Sequence, residues 1–139
     1  MVNKKFKFLP HTADIKFQAF GKSLEEVFEN SALAMFNSMH EGKIKETKIL
    51  NIKIDGNDFE NLLYNFLEEL LFLFDTEGFF LSKIKNIKID KNKMTLEAEI
   101  SGDNAEQYEI HIDVKAVTYN DIFVKKENDK WVAQIVLDV

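Results

Sequence analysis

What most restricts the fold of this chain is a change of hydrophobic rhythm at Gly78. Before it, two stretches repeat apolar residues at three- and four-residue steps; after it, apolar and polar residues alternate one by one. The first stretch opens on Ser23-Leu24-Glu25-Glu26, a capping box in which Ser and Glu satisfy otherwise unpaired backbone N–H groups. Its apolar face is Leu24, Val27, Phe28, Ala32, Met35, Phe36 and Met39, and it runs out at His40 to Gly42. The second stretch follows the turn and cap Asp55-Gly56-Asn57-Asp58. Its stripe of Phe59, Leu62, Leu63, Phe66, Leu67, Leu70, Leu71 and Phe74 is too broad to face water, so this helix should be largely buried.

Beyond Gly78, Ile84 to Ile89 and Met94 to Ile100 have the period of strands. So do Tyr108 to Thr118 and Trp131 to Leu137, with the polar run Lys125 to Lys130 as the turn between them. Lys5 to Phe8, Ile15 to Ala19 and Thr47 to Ile54 read as further strands, Pro10 separating the first two. Helices and strands are segregated rather than alternating as βαβ units. The fold class expected is α+β: a mostly antiparallel β-sheet with two amphipathic helices packed on one face.

One Pro and five Gly leave no linker, so residues 1–139 should form a single domain, and 45% hydrophobic content suffices for its core. Charges interrupt every apolar run before the roughly 20 residues that a membrane span requires. The basic N-terminus lacks the apolar region of a secretory signal, so a cytoplasmic protein is expected. Without Cys there is no disulfide, thiolate or Cys-metal chemistry. The formal charge is −6 and all eighteen basic residues are Lys, which removes Arg-based phosphate or guanine recognition.

Three places carry unusual polar residues. His11-Thr12-Ala13-Asp14 is a short polar run between two strands; Asp14 is either a functional carboxylate or a turn cap, with His11 a core histidine. Asp138 ends the apolar run Ile135-Val136-Leu137 beside Val139, which gives either two anionic groups on a docked strand or a frayed, solvated tail. Anions gathered near Asp14 would need a cation. Lys115, inside the β-forming run Ile112 to Tyr119, is either that balancing charge or a strand lysine pointing to water. His11, His40 and His111 are too dispersed for zinc spacing, no glycine loop cradles a phosphate, and no Ser has a nucleophile-elbow context.

In combination these pieces resemble the archease family. The matching blocks, in order, are His11-Thr12-Ala13-Asp14 with Gly21 to Met39, the Leu62 to Phe74 helix, Val114-Lys115-Ala116-Val117-Thr118-Tyr119, and Val136-Leu137-Asp138-Val139. The resemblance implies an α+β fold and a protein that is not itself an enzyme. It would activate the RtcB-type RNA ligase, which seals tRNA exon halves with GTP and manganese, by promoting guanylylation and multiple turnover. The tRNA would be met only through the ligase. The resemblance makes Asp14, Lys115 and Asp138 essential for activation. It makes Asp14, Asp138 and Val139 ligands of a divalent metal ion, with calcium expected and manganese or magnesium as alternatives. The chain departs from the family at Asn104-Ala105-Glu106-Gln107-Tyr108-Glu109-Ile110-His111 and at Asn120, where relatives often carry a Pro- and Gly-containing loop with a His, and a second His. The competing reading is a small protein- or RNA-binding chaperone module with a purely structural cation.

Overall fold

The computed structural model describes residues 4–139. Along the chain come β1 (Phe6–Leu9), β2 (Ile15–Gly21), α1 (Leu24–Met39), β3 (Lys48–Asp55), α2 (Phe59–Glu77), β4 (Phe79–Asp90) and β5 (Thr95–Asn104). A 3-10 turn at Ala105–Gln107 precedes β6 (Ala116–Glu127) and β7 (Lys130–Asp138). The α+β class holds, and every strand pairing is antiparallel. The strands divide into two sheets, ordered β1-β2-β7-β6 and β3-β5-β4.

Both helices touch both sheets: α1 packs on β1, β2, β7 and β4, and α2 on β6, β3, β4 and β5. This explains why α1 buries Asn30, Ser31 and Ala34 as well as its apolar stripe. Buried Asn30 is satisfied by donating to the Phe20 carbonyl at 2.7 Å, which ties α1 to the end of β2. Each helix begins where its cap predicts. Ser23 Oγ accepts from the Glu26 N–H, and Asp58 Oδ1 from that of Asn61. The reciprocal bond of the first box shifts by one residue, Glu26 accepting from the Lys22 N–H at 3.1 Å. Gly78 closes α2 at φ 65°, a left-handed conformation that glycine adopts without Cβ strain. No helix among the described residues is long and apolar enough to cross a membrane.

Two expectations need correction. The turn expected over Lys125 to Lys130 shrinks to Asn128-Asp129, with Asn128 at φ 58°, because β6 and β7 continue their ladder to the Glu127–Lys130 pair. Tyr108 to Thr118 is not one strand, since β6 starts only at Ala116. The alternation of the preceding residues is real, but their backbone groups are satisfied at the end of α1 instead of in a ladder. The His111 N–H donates to the Met39 carbonyl at 2.9 Å. The His40 ring lies 2.8 Å from the Glu109 carbonyl through Nδ1, which must carry the proton because a carbonyl only accepts. Tyr108 donates to Asp103 at 2.6 Å and accepts from the Lys45 N–H at 2.9 Å. The His40 and His111 rings stack 6.0 Å apart.

The β6 edge of the larger sheet is closed by side chains. The outer N–H groups of β6 at Val124 and Val117 donate to Glu60 and Glu68 of α2, at 2.9 and 3.5 Å. Between Thr118 and Phe123 the register of β6 on β7 shifts, and the bulged segment covers the far face of the sheet. There Gln134 donates to the Asp121 carbonyl at 2.8 Å, and Val136 is fully buried. In the smaller sheet, Glu46 meets Lys83 at 3.1 Å and Lys85 at 3.4 Å and accepts from the Ser101 hydroxyl at 2.7 Å.

These contacts, the Ser101 hydroxyl first and Lys83 next, hold the Glu46 carboxyl at about 2, below its ordinary 4.5. A carboxylate depressed in the fold contributes stability that is complete above its unfolded value and lost as pH falls through the folded one. Glu46→Gln should therefore unfold at lower urea than the parent chain near neutral pH, and the gap should close from pH 4.5 towards pH about 2. For the segment before β6, His40→Ala should cost about 1 kcal/mol and speed amide exchange at His111, while the β6–β7 ladder keeps its protection. Gly42→Ala should do the same, because its Cβ would lie 2.6 Å from His40 Nε2 and displace the ring.

Candidate functional site

Register brings together residues from opposite ends of the chain. In the larger sheet Ile15 pairs with Leu137, so one step further Asp14 and Asp138 sit at neighbouring strand ends. On the other side of β7, Ala116 pairs with Asp138, and the Lys115 N–H donates to the Asp138 carbonyl at 2.8 Å. Asp138 thus lies between Asp14 and Lys115, at the end of a strand that is paired along both edges. The tail is not frayed: Val136 and Leu137 are fully buried, and Val139 packs against the core.

Asp14 leaves the strand geometry behind. Ala13 before it adopts φ 68°, an uncommon value for a residue with a Cβ, so the chain turns sharply where the carboxylate is presented. His11 is exposed rather than a core histidine, and its Nδ1 lies 3.7 Å from Asp14 Oδ2. Asp14 borders a cleft of about 280 Å³ shared with Phe8, Leu9, Ile112, Ser38 in the last turn of α1 and Glu41 just beyond it.

Lys115 is exposed and lines a different depression, an open groove of about 520 Å³ along α2 with Asn65, Glu68, Glu69, Phe72 and Asp75. Among the described residues neither Lys115 nor Asp138 takes part in an ion pair, and Asp14 has one only with His11. Burial raises the Asp75 carboxyl above its usual range, and the nearby Asp113 raises it further. This face of α2 lies outside the apolar stripe that marks the helix in the sequence. Its signal was present: Asn65, Glu68, Glu69, Phe72 and Asp75 recur at helical steps as a second, mixed stripe beside the apolar one.

Asp14 and Asp138 put two carboxylates on neighbouring strand ends, and carboxylate oxygens are donors of the kind a hard cation takes. No three His, Asp or Glu side chains cluster as a metal cage among the described residues. His40 and His111, far apart in sequence, meet in space as a stacked pair that pins the segment ahead of Lys115.

The chain is similar to known proteins over nearly its whole length. The family model of the archease protein family matches residues 6–139. The protein archease of Methanosarcina acetivorans is 39% identical, over 98% of this chain and 97% of its own. The solution structure of Methanobacterium thermoautotrophicum protein 1598 superposes with a TM-score of 0.82 at 36% identity, over 97% of this chain and 99% of that one. The crystal structure of an archease from Thermotoga maritima, described as a possible chaperone, shares the fold at a TM-score of 0.63 and 19% identity, covering 96% of each chain. With its sheet order, its helices and its full length matched in this way, the chain belongs to the archease family.

Proposed function

We propose that this chain activates an RtcB-type tRNA-splicing RNA ligase, promoting the ligase's guanylylation and repeated turnover, and that Asp14, Asp138 and Lys115 are the residues responsible. The observation that carries the reading is their convergence. Residues from opposite ends of the sequence meet at one end of the larger sheet, on strands held in register by main-chain hydrogen bonds. A fold needing only a cap at Asp14 and a solubilising residue at Asp138 has no reason to place them on adjacent strand ends.

Asp14 and Asp138, with an oxygen of Val139, are the residues that would hold a divalent cation, calcium or alternatively manganese or magnesium. Such an ion supplies positive charge against phosphoryl oxygens when bound. Lys115 adds a mobile ammonium on the helix side of the same strand ends, where it offsets the carboxylate charge. Neither role requires bond making by this chain: the chain is the activator, and the ligase is the enzyme. The setting proposed is the cytoplasm, with tRNA met through the ligase. The alternative, a chaperone module with a structural cation, takes its support from the wording attached to the Thermotoga protein.

The two readings part under charge-removing substitutions. Asp14→Asn, Asp138→Asn and Lys115→Met should each stay folded, and the Asp variants should match or exceed the parent melting temperature without metal, because like-charge repulsion is relieved. Single-turnover guanylylation of purified ligase should nonetheless lose at least tenfold of its stimulation with each variant. A ligase equally fast with parent and variants removes these residues from the mechanism, and one indifferent to the parent chain favours the chaperone reading. Calcium should raise the melting temperature of the parent chain, and that rise should be absent in Asp14→Asn and Asp138→Asn. An undiminished rise in both would place the ion elsewhere.

A further inference from the structure

Exposed apolar surface is unevenly placed on this molecule. Among the described residues the exposed large hydrophobic side chains are Phe8 (44%), Ile49 (58%), Phe72 (56%), Ile112 (36%) and Tyr119 (49%). Phe8 and Ile112 border the Asp14 cleft, and Phe72 borders the Lys115 groove. Tyr119 lies four residues beyond Lys115, stacked 4.2 Å from Tyr64 of α2. Ile49 alone belongs to the smaller sheet. The fold does not require Phe72 in water, since α2 fills its buried face with Leu62, Leu63, Phe66, Leu67, Leu70 and Leu71. An exposed aromatic ring rimmed by polar groups is the composition of a contact surface.

The charge around Phe72 indicates what sits there. The groove holds the carboxylates of Glu68, Glu69 and Asp75 against the single ammonium of Lys115. A phosphate backbone would be repelled by three carboxylates, and a second copy of this chain, itself at −6, would bring more negative charge. A basic side chain fits, because its aliphatic stem can lie along the Phe72 ring while its charged head reaches the carboxylates. Burial, and then Asp113, raise the Asp75 carboxyl, so negative charge is concentrated on this side of the groove.

We propose that the α2 groove beside Lys115 is a docking surface for the partner protein, with Phe72 as its apolar anchor and a Lys or Arg side chain of the partner received by Glu69 and Asp75. The proposal rests on the ligase reading above and deepens it, separating residues that hold the partner from residues that activate it. Phe72 binds, whereas Asp14, Asp138 and Lys115 act once binding is complete.

The test measures ligase guanylylation against the concentration of this chain. Phe72→Ser should keep the parent melting temperature, because the ring is exposed, and should raise the half-maximal concentration at least tenfold while reaching the parent plateau. Asp138→Asn should instead lower the plateau. Asp75→Asn should weaken the dependence of half-maximal concentration on salt, since a screened charge pair has been removed. Ile49→Ser, on the other sheet, serves as the control and should change nothing. A folded Phe72→Ser with an unchanged half-maximal concentration, or an Ile49→Ser shifted as much, overturns the docking surface while leaving the ligase reading intact. A parent chain that neither binds nor stimulates the ligase overturns the reading beneath it, and the choice of partner with it.

Discussion

β7 is hydrogen-bonded along both edges, to β2 on one side and to β6 on the other, and the larger sheet depends on that double pairing. Each main-chain bond contributes modestly, about 1 kcal/mol net. What the ladder fixes above all is register: a slip of one residue would turn Ile135 and Leu137 from the core and bring Gln134 and Val136 inward. The packing of α1 on β2 and β7, and the meeting of Asp14 with Asp138, follow from the same register. One strand's register therefore sets both the packing and the placement of the candidate site.

The local elements were legible because their signals are local. Ser23 and Asp58 cap the helices they were expected to cap, Gly78 ends the second, and the alternation of β5 and β7 is the alternation seen, whereas a register shift between Ile84 and Asn86 puts Ile84 on the face of Ile87 and Ile89 instead of opposite them. Where sequence reading failed, the competing partner was distant. Tyr108 to Lys115 alternates like a strand, yet its backbone is satisfied by Met39 and by the His40 ring, which no local window contains. Glu26 found the Lys22 N–H one residue earlier than the capping pattern prescribes. The candidate site lies between these cases. Asp14, Lys115 and Asp138 were singled out by their placement and by family resemblance, but only the strand pairing shows that they share one end of a sheet. The α2 groove went unread because a single apolar stripe had already explained the helix.

The helix that completes the core also protects the sheet. Glu60 and Glu68 lie on the side of α2 that meets β6, where their carboxylates occupy N–H groups that would otherwise be free to pair with another chain. One helix surface thereby does three things in succession along its length: it caps an edge near Glu60 and Glu68, stacks Tyr64 on Tyr119, and opens into the groove around Phe72. Glu68 belongs to both settings, capping this edge and lining the acidic groove with Glu69 and Asp75.

β7, one of the two inner strands of the larger sheet, follows every other described strand along the chain. Until it is synthesised, β2 and β6 have bare edges with no strand between them, and the inner residues Phe17, Ala19 and Val117 lack half their cover. The nascent chain can settle its smaller sheet early, because β3, β4 and β5 are close in sequence, but it must hold the larger one open to the end. The strand that completes the larger sheet is the strand that brings Asp138 beside Asp14, so the two carboxylates become neighbours only when that sheet closes.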